Sequence, residues 1–172
     1  MMFALCELAL NPDIQEKARQ EIEEVLSKHE GKISYESIKE MVYSDKIISE
    51  SSRNYPAVVN LVRKCGHDFR VPNSNVILEQ IRRVFISAYS IQHDPEIYEN
   101  PEGLVAFLRF GDGPRNYVGL RFGRMLSRFG LVTLLKNYRF KPYEKSPNSL
   151  EYAEDNPILS PKYGIHLLVE NM

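Results

Sequence analysis

Tryptophan is absent from this chain of 172 residues, and only two cysteines are present, Cys6 and Cys65. Two cysteines form no disulfide framework, which favours a reducing compartment. The basic excess that nucleic-acid-binding proteins usually carry is also missing, because the formal net charge is -1. No metal-ligand spacing relates the four histidines, which are His29, His67, His93 and His166. These absences argue against a disulfide scaffold, a nucleic-acid binder and a histidine metal site.

No apolar run is long enough to cross a bilayer, which takes about 20 residues. The most apolar stretch, residues 1–10, is interrupted by Glu7 and lacks the basic flank of a secretory signal. We interpret it as the end of a buried helix. With 43% hydrophobic residues the chain can bury one core, so a single domain is expected over residues 1–172.

Helical apolar spacing dominates residues 1–55. Asn11 and Pro12 stand where an N-cap and a first helical residue belong, and Gly31 ends that helix. Ser34 can cap a second helical region, which continues to the end of this range. We therefore predict that this part of the chain is helical.

Short runs of β-favouring residues, separated by polar turns, follow within residues 56–90. The runs are residues 58–62, 69–71, 76–78 and 84–86. Near the end of the chain, residues 155–170 predict a hairpin whose turn holds Pro161 and Gly164. The expected fold class is mainly α with small β-sheets, an α+β arrangement.

Four glycines and a proline lie in the segment FGDGPRNYVGLRFG, residues 110–123, which predicts a tight loop and a following helix within residues 107–138. Glycine permits a close backbone approach, and Arg115 offers five N–H donors. Such a loop is suited to hold a ligand against its backbone. Neither GxGxxG nor GxxxxGK[ST] is present, so a phosphate-binding loop is the weaker interpretation.

Phe110, Gly113, Arg115 and Gly119 occupy four of the five fixed positions of the pattern F-x-x-G-x-R-x-C-x-G. The segment thus resembles the haem-binding loop of the cytochrome P450 superfamily; a glycine-rich connector that matches by chance is the alternative. The family places at the fifth position the cysteine whose thiolate binds the haem iron, and this chain has Tyr117 there. The resemblance implies a haem cofactor, held by the loop residues, with Tyr117 at the position of the metal ligand.

Two further segments resemble the same family. Glu50 and Arg53, in SESSRNYP, resemble its E-x-x-R helix, and residues 90–102 resemble its H-x-D-P segment. The P-x-R-F stretch that normally follows is missing, so we expect the Glu50–Arg53 pair to lack a third partner. Ile81 stands where the family has a turn glycine, and a β-branched residue at positive φ is strained. The whole chain resembles the C-terminal third of an insect-type microsomal, xenobiotic-metabolising cytochrome P450, and covers only that part of its fold.

The resemblance also assigns roles to other side chains. Arg63, in NLVRKC, would pair with a haem propionate together with the loop arginine, and the alternative is an ordinary strand-edge charge. Four residues would face substrate, with burial in the core as the alternative: Val58, Val59, Ile158 and Leu159. A basic stripe at i, i+3 and i+7 resembles the side where the family's NADPH-dependent reductase docks, or is simply a solvated face; it comprises Arg121, Arg124 and Arg128.

The resemblance implies a haem-dependent monooxygenase that oxidises apolar small molecules with O2 and reductase-supplied electrons. We expect this chain to lack that activity, because a phenol at Tyr117 cannot replace thiolate donation and the acid-threonine motif, which would precede Met1, is absent. The alternatives are a non-catalytic remnant or interaction module, and a tyrosine-ligated haem-binding protein. By resemblance the family resides at the endoplasmic reticulum membrane. This chain shows no anchor and is expected to be cytoplasmic if it folds.

Overall fold

A computed structural model describes residues 1–96, 117–144, 151–153, 156 and 158–172. Within these residues the helices are α1 (Met2–Leu10), α2 (Pro12–Lys28), α3 (Tyr35–Glu40), α4 (Val42–Asn54), α5 (Ala88–Gln92) and α6 (Leu120–Asn137). The strands are β1 (Asn60–Lys64), β2 (Phe69–Arg70), β3 (Ile77–Leu78), β4 (Arg83–Ser87), β5 (Tyr138–Pro142) and β6 (Leu167–Asn171). The predicted class, mainly α with small β-sheets, is confirmed.

The hydrophobic core lies where α1, α2, α4 and α6 meet. On α2 the buried residues Ala18, Ile22 and Leu26 recur every four positions, so they share the face that packs inward. Fully burying a side chain of this size contributes about 1.5–3 kcal/mol. The other helices supply Ala4, Leu8, Ile48, Leu131, Val132 and Leu135. The core therefore positions α6, the helix that follows the glycine-rich loop.

The helix starts differ from the sequence predictions in one detail. Ser34 caps α3 as predicted, with its Oγ accepting from the N–H of Ser37 at 3.2 Å. Asn11 precedes α2, but its side chain does not cap that helix. Its Nδ2 donates instead to the carbonyl oxygen of Glu7, at 2.8 Å, in the last turn of α1. The backbone N–H of Asn11 donates to the same carbonyl oxygen at 3.0 Å, so this residue caps the end of α1 with both its backbone and its side chain.

The predicted second helical region is in fact two helices, separated at Met41, whose φ is -78° and ψ is 77°. The first turn of α4 is held from α2, because the Glu21 carboxylate accepts from the N–H groups of Tyr43 and Ser44, at 2.6 and 2.8 Å. A carboxylate is favoured at a helix N-terminus by the helix dipole. This long-range cap explains a break that the apolar spacing does not show.

The β-region contains two antiparallel pairs. β1 pairs with β4 in a register that places Val62 opposite Phe85, and β2 pairs with β3. Ile81, in the turn before β4, has a φ of 65°, as the missing turn glycine predicts. The described chain then enters α5, so the β-region ends slightly earlier than predicted.

The predicted C-terminal hairpin is wrong in its pairing. Strand β6 pairs with β5, so that Leu167 lies opposite Pro142 and Tyr138 opposite Asn171. Ile158, on the other predicted arm, forms a bridge with Val58. The distant partner is preferred because β5 follows α6 directly and is packed against α1, where it offers a free edge for β6.

Candidate functional site

The end of the glycine-rich loop leads directly into α6. Tyr117 and Gly119 are the two predicted loop residues that the structure describes, and Gly119 is the N-cap of α6. The N–H of Leu120 donates to the carbonyl oxygen of Tyr117 at 3.1 Å, which closes a turn. The other predicted loop residues lie outside the described residues: Phe110, Gly113 and Arg115. The site is therefore built here from Tyr117, its turn and the elements around them.

The aromatic ring of Tyr117 lies against the Cα of Gly119. A Cβ added to Gly119 would stand 2.7 Å from Cε1, 2.9 Å from Cζ and 2.9 Å from the hydroxyl oxygen of that ring. Carbon atoms in favourable contact are about 3.5–4.0 Å apart. The space beside Gly119 is thus filled by the tyrosine two residues before it, while 58% of Tyr117 remains exposed to solvent.

Arg53 and Glu50 form the ion pair that their i, i+3 spacing predicts. Arg53 Nε and Nη2 donate to the two carboxylate oxygens of Glu50, at 2.9 and 2.6 Å. The hydrogen bonds from Arg53 hold the pKa of Glu50 below its usual range. Contrary to the expectation of a missing partner, Arg53 Nη1 also donates to the carbonyl oxygen of Gln92, at 2.7 Å. This partner was not predicted, because it lies on α5 and only the fold brings it to α4.

Two of the four predicted substrate-facing residues are paired with each other in the structure. Val58 and Ile158 form an isolated antiparallel bridge, and both are about half exposed, at 44% and 56%. The N–H of Leu159 donates to the carbonyl oxygen of Ala57 at 2.9 Å, and the carbonyl oxygen of Val59 accepts from Tyr89 at 3.2 Å. Their exposure argues against the alternative of core burial for the first pair. A role toward substrate stays a prediction.

Arg63 lies on β1, where its Nη1 donates to the carbonyl oxygen of its neighbour Val62, at 3.0 Å. This contact is local and exposed, which agrees with a strand-edge charge as well as with a propionate donor. Its predicted partner, the loop arginine, lies outside the described residues. The role of Arg63 toward a cofactor therefore stays a prediction.

The three arginines of the basic stripe on α6 differ in their exposure and in their contacts. Arg121 is exposed, and Arg124 pairs with Asp45 at 2.7 Å. Arg128 is largely buried, with 16% of its side chain exposed, and donates to the carbonyl oxygens of Ile38 and Met41. Its guanidinium thus ties α6 to the break between α3 and α4. The prediction that all three arginines form a solvent-facing stripe needs correction at Arg128, which has a structural role.

A groove of about 440 Å³ lies between α3 and α6. We call it the α3–α6 groove and define it by Tyr35, Lys39, Arg121, Phe122, Arg124 and Arg128. Tyr35 and Phe122 are strongly exposed, at 63% and 65%. The groove combines exposed aromatic rings with positive charge. Sequence reasoning found its arginines but missed Tyr35 and Lys39, because they lie on another helix.

We also searched the described part of the chain for a metal site and for a membrane-spanning helix. Its His, Cys, Asp and Glu side chains form no group of three that could hold a metal ion. Among its helices, none is both long enough and apolar enough to cross a membrane.

Comparison with known proteins agrees with the motif pattern. A family model described as Cytochrome P450 matches residues 1–103 and 104–169. Cytochrome P450 6a8 of Drosophila melanogaster is 41% identical over 188 residues, which cover 100% of this chain and 37% of the relative. Probable cytochrome P450 6a13 of the same organism is 39% identical over 187 residues, covering 100% of this chain and 38% of the relative.

The α+β fold, the E-x-x-R pair and a glycine-rich sequence segment before a long helix agree with this family. The chain belongs to the cytochrome P450 family. It spans somewhat more than a third of the length of the curated relatives it matches, 37% and 38% for the two named above.

Haem is the cofactor of this family. The described residues do not fit it in the family's manner. At position 117 a phenol stands in place of the thiolate, and its ring lies beside Gly119, the last glycine of the motif.

Proposed function

We propose that this chain is a haem-monooxygenase-type protein by ancestry that does not catalyse oxygen insertion as it stands. The single observation that carries the proposal is Tyr117 at the position of the iron ligand, with its ring against Gly119. In cytochromes P450 the thiolate ligand increases electron density at the iron and favours O–O cleavage. A tyrosine side chain has no thiolate and supplies no such donation.

The test is turnover of an apolar test substrate by the purified chain, supplied with haem, NADPH and the reductase. We expect no oxygenated product above a control without the chain. A catalytically competent member of the family serves as the positive control for the reductase and the substrate. Product formation by the wild-type chain at a rate comparable with that control would refute the proposal.

For the longer proteins of the family we propose apolar small molecules as substrates and the endoplasmic reticulum membrane as the location. Support for the substrate class comes from the exposed apolar pair Val58 and Ile158, which the bridge holds side by side. A fluorescent apolar probe tests this surface. We expect Val58→Asp combined with Ile158→Asp to abolish probe binding, and the pair Val76→Asp and Ile77→Asp, also exposed, to leave it unchanged.

The second candidate function is an interaction module for an acidic partner, of which the reductase is the family's example. The observation that favours it is the α3–α6 groove, where Lys39, Arg121 and Arg124 contribute positive charge beside two exposed aromatic rings. Opposite charges on a partner would increase the association rate and select the partner. Asp45 partly neutralises Arg124, at 2.7 Å, so the exposed charge lies mainly on the other two.

Reductase binding by the isolated chain tests this candidate. We expect Lys39→Glu combined with Arg121→Glu to weaken binding strongly at low salt. The matched control is Arg70→Glu, an exposed charge on β2, which should leave binding unchanged. Equal binding by wild type and the groove variant would exclude the α3–α6 groove as the docking surface. Arg128 is kept in all variants because its contacts are structural.

A further inference from the structure

The contact between Tyr117 and Gly119 is fixed by the local backbone. The carbonyl oxygen of Tyr117 accepts from Leu120 at 3.1 Å, and that of Gly119 accepts from Gly123 at 2.8 Å. These hydrogen bonds hold the two residues in one turn at the start of α6. The Tyr117 atoms Cε1, Cζ and Oη then lie 2.7–2.9 Å from the position that a Cβ at residue 119 would take.

Only glycine at position 119 permits this contact. Any Cβ there would lie 2.7–2.9 Å from three atoms of the tyrosine ring, closer than carbon atoms approach in a favourable contact, about 3.5 Å. Of Tyr117, 58% remains exposed, and Gly119 is half-buried. The Tyr117 side chain therefore lies at the surface beside Gly119.

We infer that Tyr117 is a steric cover over Gly119, which excludes a flat aromatic ligand such as a porphyrin from this end of the loop. The inference rests on the family membership of the chain and on the ring position, and it does not depend on whether the chain catalyses oxygen insertion. The residue at the family's ligand position thus blocks the cofactor's approach instead of binding it.

The physical reason is mutual exclusion. A porphyrin plane and the phenol ring cannot both contact the Cα of Gly119, so the ring has to rotate away before the ligand can approach. The apparent association constant for the porphyrin is then the intrinsic constant multiplied by the fraction of molecules in which the ring is displaced. If the ring covers Gly119 in about nine molecules of ten, removing it raises the affinity about tenfold.

The ring position can be measured without haem. Nuclear Overhauser contacts between the Hα protons of Gly119 and the ring Hε protons of Tyr117 are expected in the NMR spectrum of the wild-type chain, because Cε1 lies beside Gly119. Tyr117→Phe should keep contacts of this kind, and Tyr117→Ala should remove them. Absence of these contacts from the wild-type spectrum would overturn the inference, even if neither variant folds.

Haem affinity supplies the second test, by absorbance titration of the wild-type chain and both variants. We expect Tyr117→Ala to bind haem at least about tenfold more tightly than wild type, and Tyr117→Phe to resemble wild type. Tighter binding by wild type than by both variants would overturn the inference and identify Tyr117 as a ligand. Equal affinity of all three would also overturn it. A different result, product formation by the wild-type chain, would refute the proposed function.

Discussion

Arg53 and Gln92 bind each other's backbone: Nη1 of Arg53 donates to the carbonyl oxygen of Gln92 at 2.7 Å, and Nε2 of Gln92 donates to the carbonyl oxygen of Arg53 at 3.2 Å. Gln92 is fully buried, and 18% of the Arg53 side chain is exposed. Together with Glu50, this reciprocal contact links the end of α4 to α5. The E-x-x-R pair is thus part of the fold's support in the described chain.

Arg53→Lys is expected to lower the free energy of unfolding by about 2 kcal/mol, because hydrogen bonds from a charged group contribute about 1.5–3 kcal/mol. A lysine cannot reach Glu50 and Gln92 together, since it lacks the planar fork. Urea unfolding measures the change. The matched control is Arg63→Lys, because the Arg63 side chain donates to the carbonyl oxygen of the adjacent Val62; it should change stability by less than about 0.5 kcal/mol. Equal losses for both variants would contradict the role of the Gln92 contact.

The Glu50 carboxylate predicts a pH dependence of stability. Hydrogen bonds from Arg53 lower the pKa of Glu50 in the folded chain. The charged form is therefore favoured on folding, and its contribution is complete above the ordinary pKa of about 4.3 and lost as the pH falls through the lower folded value. Glu50→Gln should be less stable than wild type at pH 7, by at most about 1 kcal/mol for this half-exposed pair. The gap should close in urea titrations near pH 3; a constant gap would contradict the assignment.

Arg128 and Arg121 lie on one helix but are expected to behave differently. Arg128→Ala should lower the free energy of unfolding by about 2–3 kcal/mol, because it removes a largely buried donor from the carbonyl oxygens of Ile38 and Met41. Arg121→Ala should change it by less than about 0.5 kcal/mol, since the side chain is exposed. Thermal or urea unfolding of the two variants measures both changes in stability. Similar losses would refute the structural role of Arg128.

Ile81→Gly is expected to stabilise the chain. Ile81 has a φ of 65°, where a residue with a Cβ costs roughly 1–2 kcal/mol, while glycine adopts this conformation freely. The greater freedom of glycine in the unfolded chain offsets part of the gain, so a net increase of about 0.5–1 kcal/mol is predicted. Ile77→Gly, on the exposed strand β3, serves as the control and should destabilise. A loss of stability in Ile81→Gly would contradict the strain.

Features set by neighbouring residues could be predicted from the sequence. Ser34 and Ser37 form a capping box only three residues apart, and the positive φ at Ile81 follows from turn geometry. The pairing of β6 with β5 could not be predicted in the same way, because a nearby segment offered an equally plausible hairpin partner. The edge of β5 is the partner in the folded chain, and it is placed there by α6 and α1, which lie far from β6 in the sequence.

The candidate site also combines features that the sequence predicts with features that only the folded chain creates. The position of Tyr117 in the motif is visible in the sequence, but the direction of its ring depends on a side-chain rotamer and on the turn before α6. The contact between Arg53 and Gln92 joins residues 39 positions apart, so no local pattern indicates it. The same holds for the Glu21 carboxylate that caps α4 from α2.

The most direct test of the account is the carbon monoxide difference spectrum of the reduced, haem-loaded wild-type chain. Because position 117 holds a phenol, we predict that the spectrum lacks the red-shifted band of a thiolate-ligated haem. The variant Cys6→Ser combined with Cys65→Ser controls for binding by either of the two cysteines. The cysteine-free variant has no thiol that could bind the iron, so its spectrum serves as the baseline without a thiolate-type band. A stoichiometric thiolate-type band in the wild-type chain, together with product formation, would contradict the account.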